Sequence, residues 1–334
     1  MAEPEPDYRA CAAAGMAALQ RWYRPRTGLW RTTGWWNAAN ALTAVIAYTR
    51  VTGDRSFAEV IDTTFARAPR RHADFVNDYY DDNLWWGLAW VAAYDLAGDP
   101  RYLDAARVIF NRTAGGWDGR HGGVWWSTAR KYKNAIPNEL FLTLAARLHQ
   151  RDPGTGLYRA WAERTWEWFR ASGMIGASGL VNDGLTADRR NNGGTTWTYN
   201  QGVILGGLAA LHEITGDRGW VEQGEAIADA ALRQLAGPAG ILTEPHEAAT
   251  RPRDRDRPQF KGIFIRHLHD FCQVSARPAY REFILANARS IWARNRSGAD
   301  EFGLCWAGPF DRADAGRQAS ALDALNAAAA LTVG

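Results

Sequence analysis

Two adjacent carboxylates, Asp81 and Asp82, stand between aromatic residues in the run Tyr79-Tyr80-Asp81-Asp82-Asn83-Leu84-Trp85-Trp86. Neighbouring acids without a basic partner repel one another, so one of them tends to keep its proton near neutral pH. A proton donor beside an anionic nucleophile or base is what acid-assisted cleavage of a glycosidic bond requires. The Trp and Tyr faces on either side are flat apolar surfaces that suit sugar rings. The competing use is structural: Asp at a helix start caps free N–H groups and suits the positive end of the helix dipole. The run alone leaves both readings open.

Helices must position these acids, because helix signals recur along the chain and strand signals are scarce. Thr52-Gly53-Asp54-Arg55, Ala97-Gly98-Asp99-Pro100 and Thr215-Gly216-Asp217-Arg218 each follow one apolar helical run and precede another. Gly supplies the left-handed residue that ends one helix, Asp caps the next, and Pro100 falls where a missing N–H costs nothing. The interval from Gly53 to Gly98 is 45 residues, and that from Gly98 to Gly216 is near twice a slightly longer unit. Periods of this length built from helix pairs indicate a solenoid or a closed toroid.

The pattern predicts twelve helices, at about 8–22, 37–52, 54–67, 83–97, 100–113, 134–150, 155–172, 199–215, 218–236, 261–275, 278–296 and 317–332. The even-numbered ones are apolar nearly all round, as in Val203-Ile204-Leu205-Gly206-Gly207-Leu208, and the helices between them carry more charge. Buried and exposed helices therefore alternate, and polar capping repeats are absent at both ends. We expect an all-α (α/α)6 barrel of six helical hairpins, with 1–334 forming a single catalytic domain. Short Gly-Asp turns then join helices on one face, and the long loops on the other carry the Trp, Asn, Asp and Gly residues.

Composition narrows the function. Hydrophobic residues at 46% and charged residues at 22% describe a globular protein, and the unusual feature is 17 Trp, which a broad aromatic-lined cleft would absorb. A net charge of +3 is weak, and the basic run 251–257 is interrupted by acids, so no nucleic-acid partner is expected. Cys11, Cys272 and Cys305 are far apart and odd in number, which implies neither a disulfide framework nor a zinc site. His267 and His269 fall on different faces of a helix, so no metal pair is expected either. No cofactor signature appears. No stretch is long and apolar enough to suggest a membrane span, and Met1 is not followed by a signal-like segment. The expectation is a monomer, cytoplasmic as written, or secreted if the chain is a trimmed mature form.

Read in order, the entrances to the even-numbered helices carry Gly34-Trp35-Trp36-Asn37, the Asp81–Asp82 run, Gly122-Gly123-Val124-Trp125-Trp126 with Tyr132-Lys133-Asn134-Ala135 and Asn138-Glu139, Val181-Asn182-Asp183-Gly184, Thr196-Trp197-Thr198-Tyr199-Asn200-Gln201-Gly202, and Phe260-Lys261-Gly262-Ile263-Phe264. This set resembles glycoside hydrolase family 76, the endo-α-1,6-mannanases, from about residue 30 to 266. The resemblance implies a retaining mechanism with Asp81 as nucleophile and Asp82 as general acid/base, the latter starting protonated. Adjacent Cα atoms lie about 3.8 Å apart. Splayed side chains can then place the carboxyl groups roughly 5 Å apart, the retaining separation, where inverting enzymes need about 6.5–9.5 Å.

The substrate implied is an α-mannan oligosaccharide or polysaccharide. Trp35, Trp36, Trp85, Trp125 and Trp126 are candidate sugar platforms, with Tyr80 beside the acids. Asn37, Asn134, Glu139, Asp183, Tyr199, Asn200 and Gln201 are candidate hydrogen-bonding residues, and Lys261 and Phe264 candidate cleft wall. Glu139 has a competing use as an ion-pair partner of Lys133, and Tyr199, Asn200 and Gln201 as helix caps. Other functions compatible with this reading are a transglycosylase using the same two acids, a sugar epimerase on the same barrel, and a non-catalytic glycan-binding protein. Epimerisation favours paired His residues, and retention of both Asp argues against a mere binder.

Overall fold

The computed structural model describes residues 5–332 except 238 and 252. In chain order the helices are α1 (Tyr8–Gln20), α2 (Trp35–Thr52), α3 (Glu59–Arg67), α4 (Tyr80–Ala97), α5 (Pro100–Ala114), α6 (Ala135–Arg151), α7 (Leu157–Ala171), α8 (Thr198–Thr215), α9 (Gly219–Leu235), α10 (Arg257–Phe271), α11 (Pro278–Arg294) and α12 (Ala315–Thr332). Strand among the described residues is limited to one antiparallel pair, β1 (Tyr23–Arg24) with β2 (Leu29–Trp30), and to isolated bridges in the loops.

The Gly-Asp punctuation works through backbone geometry. Gly53, Gly98 and Gly216 have φ of +74°, +69° and +71°, with open space where a Cβ would stand, so conformation and not crowding requires glycine there. Asp99 caps α5 by accepting from the Arg101 N–H at 3.0 Å, with Pro100 at the first helical position. Asp54 acts differently. It accepts from the Ser56 N–H at 2.8 Å and the Tyr48 hydroxyl at 2.5 Å, which stabilises a turn, and α3 begins only at Glu59.

The chain forms two compact units. One comprises residues up to Arg70, Leu235–His269 and those from Arg277 on; the other comprises Arg71–Gln234 with Asp270–Ala276. In the second, α4, α6 and α8 lie side by side, with α5 packed on α4 and α7 on α6. Each of the three central helices is buried almost all round, whereas α5 and α7 bury a single stripe. In the first, α12 packs against α1, α2 and α11. It also meets α10, where a Cβ on Gly262 would stand 2.5 Å from the Ser320 backbone, so only glycine permits the approach.

Tryptophan is used differently from the expectation of a broad aromatic cleft. Eight of the Trp residues are buried, and only Trp126 is exposed. Trp86 and Trp90 are fully covered and pack with Phe75 and Tyr102, the Trp90 and Tyr102 rings nearly parallel at 5.4 Å. Burying a side chain of this size contributes about 2–3 kcal/mol, so nearly half of the Trp content is core.

Small hairpins follow most of the charged helices. The pairs Tyr23–Trp30, Trp117–Val124, Ile175–Val181, Ala236–Leu242 and Arg296–Phe302 close loops after α1, α5, α7, α9 and α11. Amide side chains of the helices fasten them. Asn138 of α6 accepts from the Val124 N–H at 2.7 Å and donates to its carbonyl at 3.1 Å. Gln201 of α8 does the same for Val181, at 2.8 and 2.9 Å. Gln318 of α12 takes the Phe302 N–H at 2.9 Å, and Asn287 of α11 takes that of Leu242 at 2.9 Å. Each amide satisfies backbone groups that burial would otherwise leave without partners.

Candidate active site

α4 begins at Tyr80, three residues earlier than the periodicity suggested, so Asp81 and Asp82 occupy its first turn. The cause is the chain before it. Tyr79 is extended and bridges Ser127, and the Tyr80 N–H donates to the Trp126 carbonyl at 2.9 Å. Asn83 binds both backbone groups of Asn77, accepting at 2.7 Å and donating at 3.1 Å. The helix start is thus tied to two loops before its first turn is complete.

The two acids are held by different loops. Asp81 Oδ2 accepts from the Trp126 indole N–H at 3.1 Å, and Asp82 Oδ2 accepts from the Asn77 amide at 2.7 Å. Asp81 Oδ1 is buried and has no hydrogen-bond partner. Burial first, and the Asp82 charge second, push the Asp81 carboxyl well above its ordinary range, against the opposing hydrogen bond from Trp126. Burial therefore favours the protonated form of Asp81.

A second polar group stands at the entrances of α6 and α8. Tyr132 donates its hydroxyl to Asp183 and accepts from Asn192 at 3.0 Å, while the Asp183 carbonyl takes the Ala135 N–H at 2.8 Å. Burial and the Asp183 charge both raise the Tyr132 phenol, which keeps it a neutral donor. Glu139 is fully buried on α6 with both carboxylate oxygens unpartnered. Lys133 pairs instead with Asp118 at 2.5 Å, so the expected Glu139–Lys133 alternative is not formed. Desolvation, with the Asp183 charge behind it, pushes Glu139 well above the ordinary carboxyl range, which favours its neutral form. Asn200 on α8 is likewise fully buried with neither amide atom bonded, and Asn134 Oδ1 has no partner. One turn further along, Thr143 of α6 meets the Val203 carbonyl of α8 at 3.4 Å, so Glu139 and Asn200 sit at matching levels of adjacent helices.

Other expected contacts are committed elsewhere. The Gln201 amide is used entirely in holding Val181 and the Trp197 carbonyl, which replaces the expected contact with a sugar. Trp85 is buried, and Tyr80 is buried against Gly116, where a Cβ would stand 2.5 Å from the ring. Trp125 lies under the Lys133 ammonium, 4.5 Å from the ring centre. Tyr199 is nearly covered.

In the unit containing α2 and α10, Trp35 and Phe264 are core residues. Lys261, 1% exposed, pairs with Glu247, donates to the Leu304 carbonyl at 2.8 Å and lies over Trp306. Lys261 and Phe264, the expected cleft wall, are therefore internal supports. Asn37 ties α2 to the Arg255 carbonyl and Gln259, while partly exposed Trp36 donates to Asp256 at 3.0 Å.

Sequence reasoning missed Asn77, Asp118 and Asp256, and it noted Tyr79 only as one of the aromatic faces beside the acids. Asp256 lies inside the mixed-charge run 251–257, and its contacts with the Trp36 indole and the Asn37 amide mark it. No local signal distinguished Asn77 or Asp118.

With this geometry in hand, comparison with known proteins is informative. A family model described as Glycosyl hydrolase family 76 matches residues 11–333. A putative mannan endo-1,6-alpha-mannosidase of Schizosaccharomyces pombe is 26% identical over 322 residues, covering 88% of this chain and 72% of the relative. The mannan endo-1,6-alpha-mannosidase DCW1 of Saccharomyces cerevisiae is 27% identical over 325 residues, covering 87% and 71%. Among solved structures, an alpha-1,6-mannanase of Salegentibacter sp. HEL1_6, captured with an alpha-1,6-linked mannotetraose as an inactive variant replaced at two consecutive aspartates, superposes with a TM-score of 0.89. The two are 24% identical, and the match covers 98% of this chain and 100% of that one. Dfg5 of Chaetomium thermophilum, in complex with glucosamine, gives a TM-score of 0.86 at 20% identity, covering 96% and 90%. These likenesses establish the fold class as the all-α (α/α)6 barrel.

Proposed function

This chain belongs to glycosyl hydrolase family 76 and is a glycoside hydrolase, and from that premise we propose that it cleaves α-1,6-mannosidic linkages of mannan-type glycans with retention of configuration. The observation that carries the reading is the Asp81–Asp82 pair on the first turn of α4, each acid held by a separate loop. Replacement of two consecutive aspartates in the inactive mannanase variant supports the same assignment.

In the proposed cycle the pair shares one proton. Burial favours its placement on Asp81 before a sugar binds. A bound sugar places an accepting glycosidic oxygen at Asp82 and electron-poor anomeric carbon at Asp81, which favours the proton on Asp82 and the anion on Asp81. Asp81 then attacks the anomeric carbon as the bond to the leaving oxygen breaks, and Asp82 gives that oxygen its proton. Water next attacks the glycosyl-enzyme, Asp82 takes its proton, and Asp81 is released. Glu139 and Asn200, whose hydrogen-bonding capacity is unmet, serve the sugar hydroxyls, and Tyr132–Asp183 orients that side of the site.

Proton NMR of the first products from an α-1,6-mannooligosaccharide tests this directly. The α-anomer should appear first, with the β-anomer growing only by mutarotation; initial β product would mean inversion and a base elsewhere. The likeness to Dfg5 bound to glucosamine favours one second reading, transfer of the glycosyl group to a sugar acceptor. Products longer than the substrate in the same experiment would establish it.

A further inference from the structure

The large apolar side chains exposed among the described residues are Tyr79, Val108, Trp126 and Leu157. Val108 and Leu157 are single residues on α5 and α7. Tyr79 and Trp126 face one another, with ring centres 4.9 Å apart and planes at 57°. Their backbone is stiff. Besides the Tyr79–Ser127 bridge and the Tyr80–Trp126 bond, the Trp126 N–H donates to the Tyr132 carbonyl at 2.8 Å and the Thr128 N–H to the Asp78 carbonyl at 2.9 Å. Two exposed rings on so fixed a mount form a preorganised apolar surface, and the indole edge of one is bonded to the Asp81 carboxylate at 3.1 Å.

We propose that Trp126 both positions Asp81 and, together with Tyr79, forms the aromatic platform for the sugar rings flanking the cleaved bond. The inference rests on the function proposed above. A sugar whose anomeric carbon meets Asp81 must lie beside the Trp126 ring, because that ring is one hydrogen bond from the attacking carboxylate. Tyr79 extends the surface to the adjoining residue of the glycan. The indole N–H also stabilises the anionic form of Asp81, opposing the burial that favours its proton. Trp126 is thus a positioning residue that also touches substrate, and Tyr79 is a binding residue.

The test uses Trp126→Phe, which keeps a ring but removes the donor, and Tyr79→Ala, both in the full chain. Both positions are exposed enough for the variants to fold. With α-1,6-mannotetraose, Tyr79→Ala should raise KM about tenfold and leave kcat in place, equivalent to about 1.4 kcal/mol of uniform binding. Trp126→Phe should lower kcat about tenfold, the loss of one hydrogen bond to a charged group, and move the acid limb of kcat/KM to higher pH. Carbon-13 NMR titration of Asp-carboxyl-labelled protein without substrate should show the Asp81 signal, identified by its absence in Asp81→Asn, titrating at higher pH in Trp126→Phe than in wild type. An unmoved Asp81 titration overturns the positioning role whatever the substrate. An unchanged KM in Tyr79→Ala, or a loss confined to kcat, overturns the platform. A wild-type enzyme inert toward mannotetraose overturns the mannan reading, and the NMR titration still decides the role of Trp126.

Discussion

Asn138 and Glu139 are neighbours on α6, as Asn200 and Gln201 are on α8, and all four are fully buried. Within each pair the two residues do opposite things. Asn138 and Gln201 hold backbone groups of the preceding loops, whereas the side chains of Glu139 and Asn200 make no hydrogen bond. A buried polar group without a partner costs about 1–3 kcal/mol, so the satisfied amides stabilise the fold and the unsatisfied pair works against it. One helical position, about 100° of rotation, separates a side chain that fastens the fold from one left with unmet hydrogen-bonding capacity.

The contrast can be broken most severely at a clamp. Gln201→Ala should destabilise the protein by about 3 kcal/mol, because the N–H and carbonyl of Val181 lose their partner together. Urea unfolding should show a lower midpoint at unchanged slope. A stability within a few tenths of a kcal/mol of wild type would mean that the loop finds other partners. The unsatisfied side predicts the reverse: Glu139→Leu should gain about 1 kcal/mol of stability. In the same variant kcat/KM should fall by about 100-fold, or about 2.7 kcal/mol. Loss of stability with unimpaired activity would show that Glu139 belongs with the clamps.

The smallest effect concerns pH. Glu139 is raised above its ordinary value of 4.5 on folding, so its contribution to stability is complete below that pH. It is lost as pH rises toward the folded value, because the unfolded chain releases its proton first. Asp81 acts in the same direction. Glu139→Gln removes one of the two contributions, so Tm should fall less steeply than in wild type between mildly acidic and neutral pH. Parallel Tm profiles would show that Glu139 is charged in the folded protein.

The helical framework was legible because its signals are local: an apolar period, a left-handed Gly and a capping Asp each act within a few residues. Boundaries moved where a distant segment intervened. Tyr80 joined α4 because its N–H meets Trp126, and α3 shortened because Asp54 is occupied with Ser56 and Tyr48. The acids were legible by type, but the burial that raises Asp81 was not, since it depends on how the surrounding loops fold over it. Likewise Asn200 and Gln201 are both plausible cap or sugar residues in sequence. Only the return path of Val181 shows that Gln201 is used and Asn200 is not. Tyr79 was legible only as an aromatic face beside the acids, because its partner ring, Trp126, is supplied by a loop 47 residues later.

The clamps are also arranged so that each loop is fastened mainly by the helix that follows it. Asn77 is tied by Asn83, Val124 by Asn138, Val181 by Gln201 and Phe302 by Gln318. A loop and its next helix thus form a cassette whose internal bonds are short in sequence. Residues between the clamp and the helix can be lengthened, shortened or exchanged without disturbing the fastening of the other cassettes. Such an architecture lets substrate preference drift one loop at a time during divergence. It also marks the clamp residues as the natural seams for grafting a loop from one relative into another.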